Sequence, residues 1–182
     1  MKETVKIIAV LTVVCLLSSA LLSYFSGITF ARIEQNGIDA INDAIRVLAP
    51  QAVRNEEFSV SGLAVYRLFD AGDNNFGYAF IAQGQGYAGT IKMMVLTDMA
   101  ISEINGMAVL ESVETPGLGA KIKENSFRGQ FVGLSVIPQI ILLKDKISNK
   151  NEVQAITGAT ISSRSVVRIL NDRIEELKEN IK

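Results

Sequence analysis

Ala155-Ile156-Thr157-Gly158-Ala159-Thr160-Ile161-Ser162-Ser163 opens directly into an amphipathic pattern. From Val166 the apolar residues recur at Leu170, Ile174, Leu177 and Ile181, which predicts a helix. Arg164, Asp172, Arg173, Glu175, Glu176 and Lys178 are assigned to its polar faces. Thr160 therefore falls at or just before a helix N-terminus. Unpaired backbone N–H groups and the positive end of the helix dipole favour a phosphate there. The commoner use of such residues is an ordinary N-cap formed by Thr160 or Ser162. The segment alone leaves both readings open.

Upstream, the chain reads as β structure. Residues 64–69 form a strand candidate followed by a turn cluster at 70–75. Residues 77–83, 91–96 and 101–110 are further candidates, with Asn105-Gly106 as a hairpin turn or a bulge. Residues 125–133 read as irregular or as a short helix. Residues 137–144 read as a strand interrupted by Pro138, and 148–152 as a polar loop. Ile38, Ile41, Ile45 and Leu48 mark a further amphipathic helix ended by Pro50. This helix and the exposed polar loops are candidate docking surfaces. Strands bracketed by helices predict an α+β domain with a mostly antiparallel sheet and flanking helices.

Residues 7–31 contain no charged side chain, and 7–22 are dense in Ile, Val and Leu. That length suits a transmembrane helix. A signal peptide is the rival, with small residues at Ser18-Ser19-Ala20 and in 23–27 that would permit cleavage. Tyr24 and Phe25 resume the apolar run and favour an uncleaved anchor, with aromatic rings near the far interface. Lys2 and Lys6 precede the span, so the positive-inside bias places the N-terminus in the cytoplasm and the rest on the outer face. A single-pass helix in the inner membrane, in contact with lipid, is the expected localisation.

The 182 residues include no histidine, no tryptophan and one cysteine, Cys15. Histidine-based acid–base catalysis, a Ser-His-Asp triad and histidine ligation of a metal by this chain are excluded. One cysteine allows no disulfide within the chain, and Cys15 lacks the small preceding residue of a lipid-attachment signal. A net charge of −1 offers no electrostatic case for nucleic acid. No catalytic residue and no metal ligand is assigned.

Two loops remain. Gly84-Gln85-Gly86-Tyr87-Ala88-Gly89 spells G-x-G-x-x-G, but the residues that follow are strand-like. A glycine-rich connection between strands is therefore preferred to a dinucleotide-binding turn. In Glu114-Thr115-Pro116-Gly117-Leu118-Gly119, the Pro-Gly pair predicts a tight turn. Gly117 and Gly119 would let a flat ring lie against the main chain, with Leu118 as an apolar lid and Glu114 and Thr115 bonding ring edges. The alternative is a plain turn whose leucine returns to the core.

E-T-P-G-L-G followed by T-G-A-T-I-S-S at a helix start closely resembles the FMN-binding domain of two membrane redox complexes. These are the Rnf ferredoxin:NAD oxidoreductase, through its G subunit, and the sodium-pumping NADH:quinone oxidoreductase, through its C subunit. The compact length favours the former. The resemblance implies covalent FMN in phosphoester linkage to Thr160, with Gly158 and Ala159 keeping the approach open and Thr157 shaping the loop by side-chain hydrogen bonding. Glu114, Thr115, Gly117, Leu118 and Gly119 would contact the isoalloxazine. It also implies a flavin transferase during maturation, and partners among the other membrane and redox subunits of an ion-translocating complex. Gln154 stands where the transferase signature commonly has Asp, and Val113 where histidine often precedes E-T-P-G-L-G.

The expected division is a cytoplasmic N-terminus at 1–6, a transmembrane anchor at 7–31, an amphipathic connecting helix at 32–50 and an extracytoplasmic FMN-binding domain at 51–182. The alternatives are the quinone-reductase C subunit or another flavinylated extracytoplasmic carrier, and a non-redox assembly module with an empty flavin site.

Overall fold

The computed structural model describes residues 2–181, Ala31 by its backbone alone. It divides into a unit ending at Ala40 and a unit from Ile41 onward. The first helix, α1 (Lys2–Leu48), makes up the whole described part of the first unit and enters the second. In the first unit it presents Ile7, Leu11, Leu17, Leu22 and Phe25 to the outside. It contains a stretch long and apolar enough to cross a membrane.

The second unit is built on a six-stranded antiparallel meander. Its strands are β1 (Arg54–Val60), β2 (Leu63–Phe69), β3 (Asn75–Gln85), β4 (Thr90–Thr97), β5 (Glu103–Ser112) and β6 (Leu134–Ser135), hydrogen-bonded in that order. The expected α+β class and antiparallel sheet are present. The strand at β1 was not anticipated. Its sequence, Arg-Asn-Glu-Glu-Phe-Ser-Val, lacks the alternation that marks a half-buried strand, because it is the exposed edge of the sheet. Asn105-Gly106 is a bulge, not a turn: Leu96 pairs with Gly106 and Thr97 with Ile104, so Asn105 is the extra residue.

β3 and β4 are buried on both faces, which is why they read as nearly continuous apolar runs. Phe80, Ala82, Ile91, Met93 and Val95 face one way, toward Val166, Leu170, Ile174 and Leu177 of the terminal helix α3 (Thr160–Asn180). Ile122, Phe127 and Phe131, from the short helical segment that includes α2 (Asn125–Arg128), complete this core. Ala79, Ile81, Met94 and Leu96 face the other way, against Ile41, Ala44, Ile45 and Leu48 of α1. The apolar stripe of the helix expected to offer a docking surface is thus largely spent on covering the sheet. Ile38, in the first unit, stays exposed.

The expected strand at 137–144 shrinks to β7 (Ile141–Leu143). Pro138 has no N–H to give a ladder. The residues just before β7 are held instead by Asn171 of α3, whose side chain accepts from Ile140 N and donates to Ile140 O, each at 2.9 Å. β7 pairs in parallel with β8 (Glu152–Gln154), an unanticipated strand that begins at the last residue of the expected polar loop.

Candidate functional site

The Thr-Gly-Ala-Thr loop is suspended between β8 and α3. On the β8 side its entry is gripped twice. Ala155 N donates to Leu143 O at 2.7 Å, and the Gln130 side chain pairs with the Gln154 backbone, accepting from N at 2.7 Å and donating to O at 3.3 Å. Gln130 so imitates a neighbouring strand. The Gln154 side chain is left exposed and makes no hydrogen bond among the described residues. On the helix side, Ser163 closes the loop: its Oγ accepts from Ile156 N and donates to Ala159 O, both at 3.0 Å.

Glu152 stiffens the turn that leads into β8. Its carboxyl accepts from Ser148 N at 2.7 Å and Asn149 N at 2.9 Å, and from the Asn149 side chain. The Ser148 N–H, then the Asn149 side chain and N–H, hold its pKa below the usual glutamate value. A carboxyl depressed in the folded state stabilises the fold above its unfolded pKa of about 4.3, and that stabilisation is lost as pH falls through the folded value. Glu152→Gln should therefore lower the melting temperature at pH 7, and the gap to the unsubstituted chain should close as pH drops below about 4. Thermal melts of the two proteins from pH 7 to pH 3 check this; a gap that widens in acid would refute it.

Thr160 is the first residue of α3. The ordinary capping role fails in this structure. Ala159 precedes the helix with φ −135° and ψ 38°, no side chain caps the first turn, and the Ser162 hydroxyl points elsewhere. The first helical donor with a protein acceptor is Ser163 N, bonded to Ala159 O at 3.0 Å. The amides of Thr160, Ile161 and Ser162 are consequently unpaired among the described residues, in the arrangement that receives an anion. Gly158 holds φ +81°, a left-handed conformation that disfavours any side chain. A Cβ there would reach 3.4 Å from Leu118 Cδ2, so the two sequence motifs meet at this point.

Leu118 lies on a turn in which Leu118 N and Ala120 N both donate to Thr115 O, at 3.2 and 3.1 Å. It is 49% exposed, so it does not return to the core. Gly86–Gly89 is the connection between β3 and β4, closed by Gly86 N to Gly89 O at 2.8 Å, with a strand following as expected.

These three segments surround a cleft of about 380 Å³, a size within the range of small-molecule sites. Of the residues proposed from the sequence, Glu114, Thr115, Leu118, Gly119, Gly158, Ala159 and Thr160 line it; Tyr87, Ile161 and Ser162 line it as well. Gly117 and Thr157 are exposed and outside the lining. The Thr157 hydroxyl makes no hydrogen bond among the described residues, so Ser163 does the shaping expected of it. Tyr87 was missed because the G-x-G-x-x-G reading concentrates attention on glycines; its signal was a large aromatic between them. Tyr87 and Ile161, 65% and 54% exposed, supply apolar wall with Leu118.

Glu114 is buried, and both its oxygens are occupied by protein. Oε1 accepts from Tyr87 N at 2.6 Å and Ala88 N at 3.2 Å, and Oε2 accepts from Ser162 Oγ at 2.8 Å. It borders the cleft with its polar atoms turned into the framework.

The chemistry of the lining fits FMN. Unpaired amides and the helix dipole suit a phosphoryl group, the half-buried Thr160 supplies a hydroxyl, and apolar side chains suit a planar ring.

A family model described as FMN-binding domain matches residues 86–175. The chain is 30% identical over 167 residues to the G subunit of the proton-translocating ferredoxin:NAD(+) oxidoreductase complex of Clostridium ljungdahlii, covering 92% of this chain and 88% of that protein. It is 32% identical over 182 residues to the G subunit of the ion-translocating oxidoreductase complex of Methanosarcina acetivorans, covering 96% and 94%. The crystal structure of Shewanella oneidensis NqrC shares the fold, with a TM-score of 0.58 at 18% identity, covering 73% of this chain and 72% of that one.

Proposed function

Because the chain belongs to the family of the G subunits of ion-translocating oxidoreductase complexes, we propose that it is a membrane-anchored electron-transfer subunit carrying one FMN esterified to Thr160. Bound FMN accepts and donates one or two electrons. The chain's own residues hold and orient it. The amides of the first turn of α3 receive the phosphoryl oxygens, and the Thr160 hydroxyl forms the ester. Tyr87, Leu118 and Ile161 give the ring an apolar seat. Among the described residues no lysine or arginine lines the cleft, so neutralisation falls to the helix start. A phosphodiester, with one charge in place of the monoester's two, suits so modest a counter-charge.

The observation that carries this reading is the position of Thr160: first residue of a helix, unburdened by capping, on the wall of a cleft that the E-T-P-G-L-G loop also lines.

In this reading the electrons pass between cofactors of partner subunits, as in the ferredoxin:NAD(+) relatives, with Na⁺ or H⁺ translocation in other subunits. Between residues 7 and 31 this chain offers no ionisable Asp, Glu, Lys or Arg that would build an ion path. The span would be uncleaved, with residues 1–6 in the cytoplasm and the FMN domain on the outer face. There a covalent bond prevents loss of a flavin that could not be recaptured. A flavin transferase would install it, reaching a loop in which Thr157, Gly158 and the Gln154 side chain are all exposed.

Intact mass and peptide mapping of the chain purified from its native membrane, after denaturation, test the proposal. One FMN adduct on the peptide containing Thr160 is expected. An unmodified chain from cells that flavinylate other proteins would overturn it and favour the assembly-module alternative.

A further inference from the structure

Resting on the flavin reading above, we infer that Glu114 is a positioning residue that sets the shape of the cleft without touching the flavin itself. Its carboxyl group lies where three otherwise separate segments converge: the β3–β4 turn, the loop that follows β5 and the first turn of α3. One oxygen holds the turn by two amides, Tyr87 N and Ala88 N; the other holds the helix by Ser162 Oγ. These partners lie 27, 26 and 48 residues away in sequence.

Two glycines make room for the arrangement. A Cβ at Gly86 would collide with Oε1 of Glu114, and one at Gly119 with Oε2 and with the Ser162 hydroxyl. The main chain thus closes around the carboxyl from both sides. With three donors satisfied and 5% exposure, the group has little capacity left for a ring edge. Its effect on a ligand is indirect. It fixes the separation between the Tyr87 wall and the helix start that bears Thr160.

Charge alone is not the device. Glutamine at this position keeps an oxygen for the two amides and offers an N–H to the Ser162 hydroxyl, which can accept. Alanine removes all three links and leaves the two amides without an acceptor.

The test compares Glu114→Gln, Glu114→Ala, Ser162→Ala and the double alanine variant of the full chain in detergent. The first readout needs no flavin: amide hydrogen exchange at Tyr87 and Ala88. Exchange should accelerate in Glu114→Ala and remain near normal in Glu114→Gln. The second readout is the induced visible circular dichroism and midpoint potential of the FMN. Both should shift in Glu114→Ala, be restored in Glu114→Gln, and shift no further in the double variant than in Glu114→Ala.

Unchanged exchange in Glu114→Ala overturns the inference whether or not flavin is present. A midpoint potential that moves equally in Glu114→Gln and Glu114→Ala, with unaltered dichroism, overturns it in favour of a purely electrostatic role. If the unsubstituted chain carries no flavin, the flavin reading fails, while the exchange result still decides whether Glu114 joins the three segments.

Discussion

Thr160→Ala is expected to remove the covalent flavin completely while leaving the fold intact. Thr160 occupies the first position of α3, is half-buried, and its hydroxyl makes no hydrogen bond among the described residues. Alanine is well accepted inside a helix, and no cap is lost, so stability should change by no more than about 0.5 kcal/mol. The chemistry has no such tolerance, since the ester requires an oxygen at this position. Thr160→Ser keeps that oxygen and should keep the adduct. Thr157→Ala should keep it too, because Thr157 lies outside the cleft lining. Intact mass after denaturation reads all three variants. An adduct persisting in Thr160→Ala would place the linkage elsewhere.

The largest effect on stability is expected at Arg173. Its side chain is 3% exposed, though the helical pattern assigns it to a polar face. It donates from Nε to Ile81 O at 3.3 Å and from Nη2 to Val60 O at 3.1 Å and Leu63 O at 3.4 Å; Nη1 meets Glu176 Oε2 at 2.5 Å. One guanidinium so ties α3 to the β1–β2 hairpin and to β3. Methionine would fill much of the volume and leave the three carbonyls without that donor. The expected cost is on the order of 3–5 kcal/mol, a large part of a stability that is typically about 5–15 kcal/mol.

For a chain of this size that cost corresponds to a melting temperature lower by roughly 10 °C. Arg168, exposed and among the described residues bonded only to Gln85 O at 2.8 Å, is the control and should cost less than about 1 kcal/mol when replaced by methionine. Thermal melts of the two variants decide the matter, and equal shifts would contradict the assignment. The ion pair with Glu176 adds little to the difference, since that carboxylate is 36% exposed and screened.

Much of the architecture was legible because local order writes itself into local sequence. The period of α3 and the apolar length of α1 needed no knowledge of the rest of the fold. The strand cores of β2 to β5 showed as short apolar runs between turn residues. β1 and β8 did not, because an edge strand and a three-residue strand bury too little to impose a pattern. The docking surface expected on residues 38–48 is narrowed for a related reason. An amphipathic stripe announces that a face will be covered and says nothing about what covers it. Here the partner of Ile41, Ala44, Ile45 and Leu48 is the sheet of the same chain.

The cleft divides along the same line. The helix start at Thr160, the turn at Pro116-Gly117 and the strand after Gly89 are local features, encoded in a few consecutive residues each. The exclusion of histidine chemistry is read from composition alone. Three features arise from packing between distant segments: Tyr87 joins the cleft, Glu114 turns its oxygens inward, and Arg173 is buried. Each depends on partners many residues away: 27 and 48 for Glu114, and up to 113 for Arg173. Hydrophobic period and turn chemistry act over a few residues, whereas a hydrogen bond between distant segments exists only once the meander and α3 have packed.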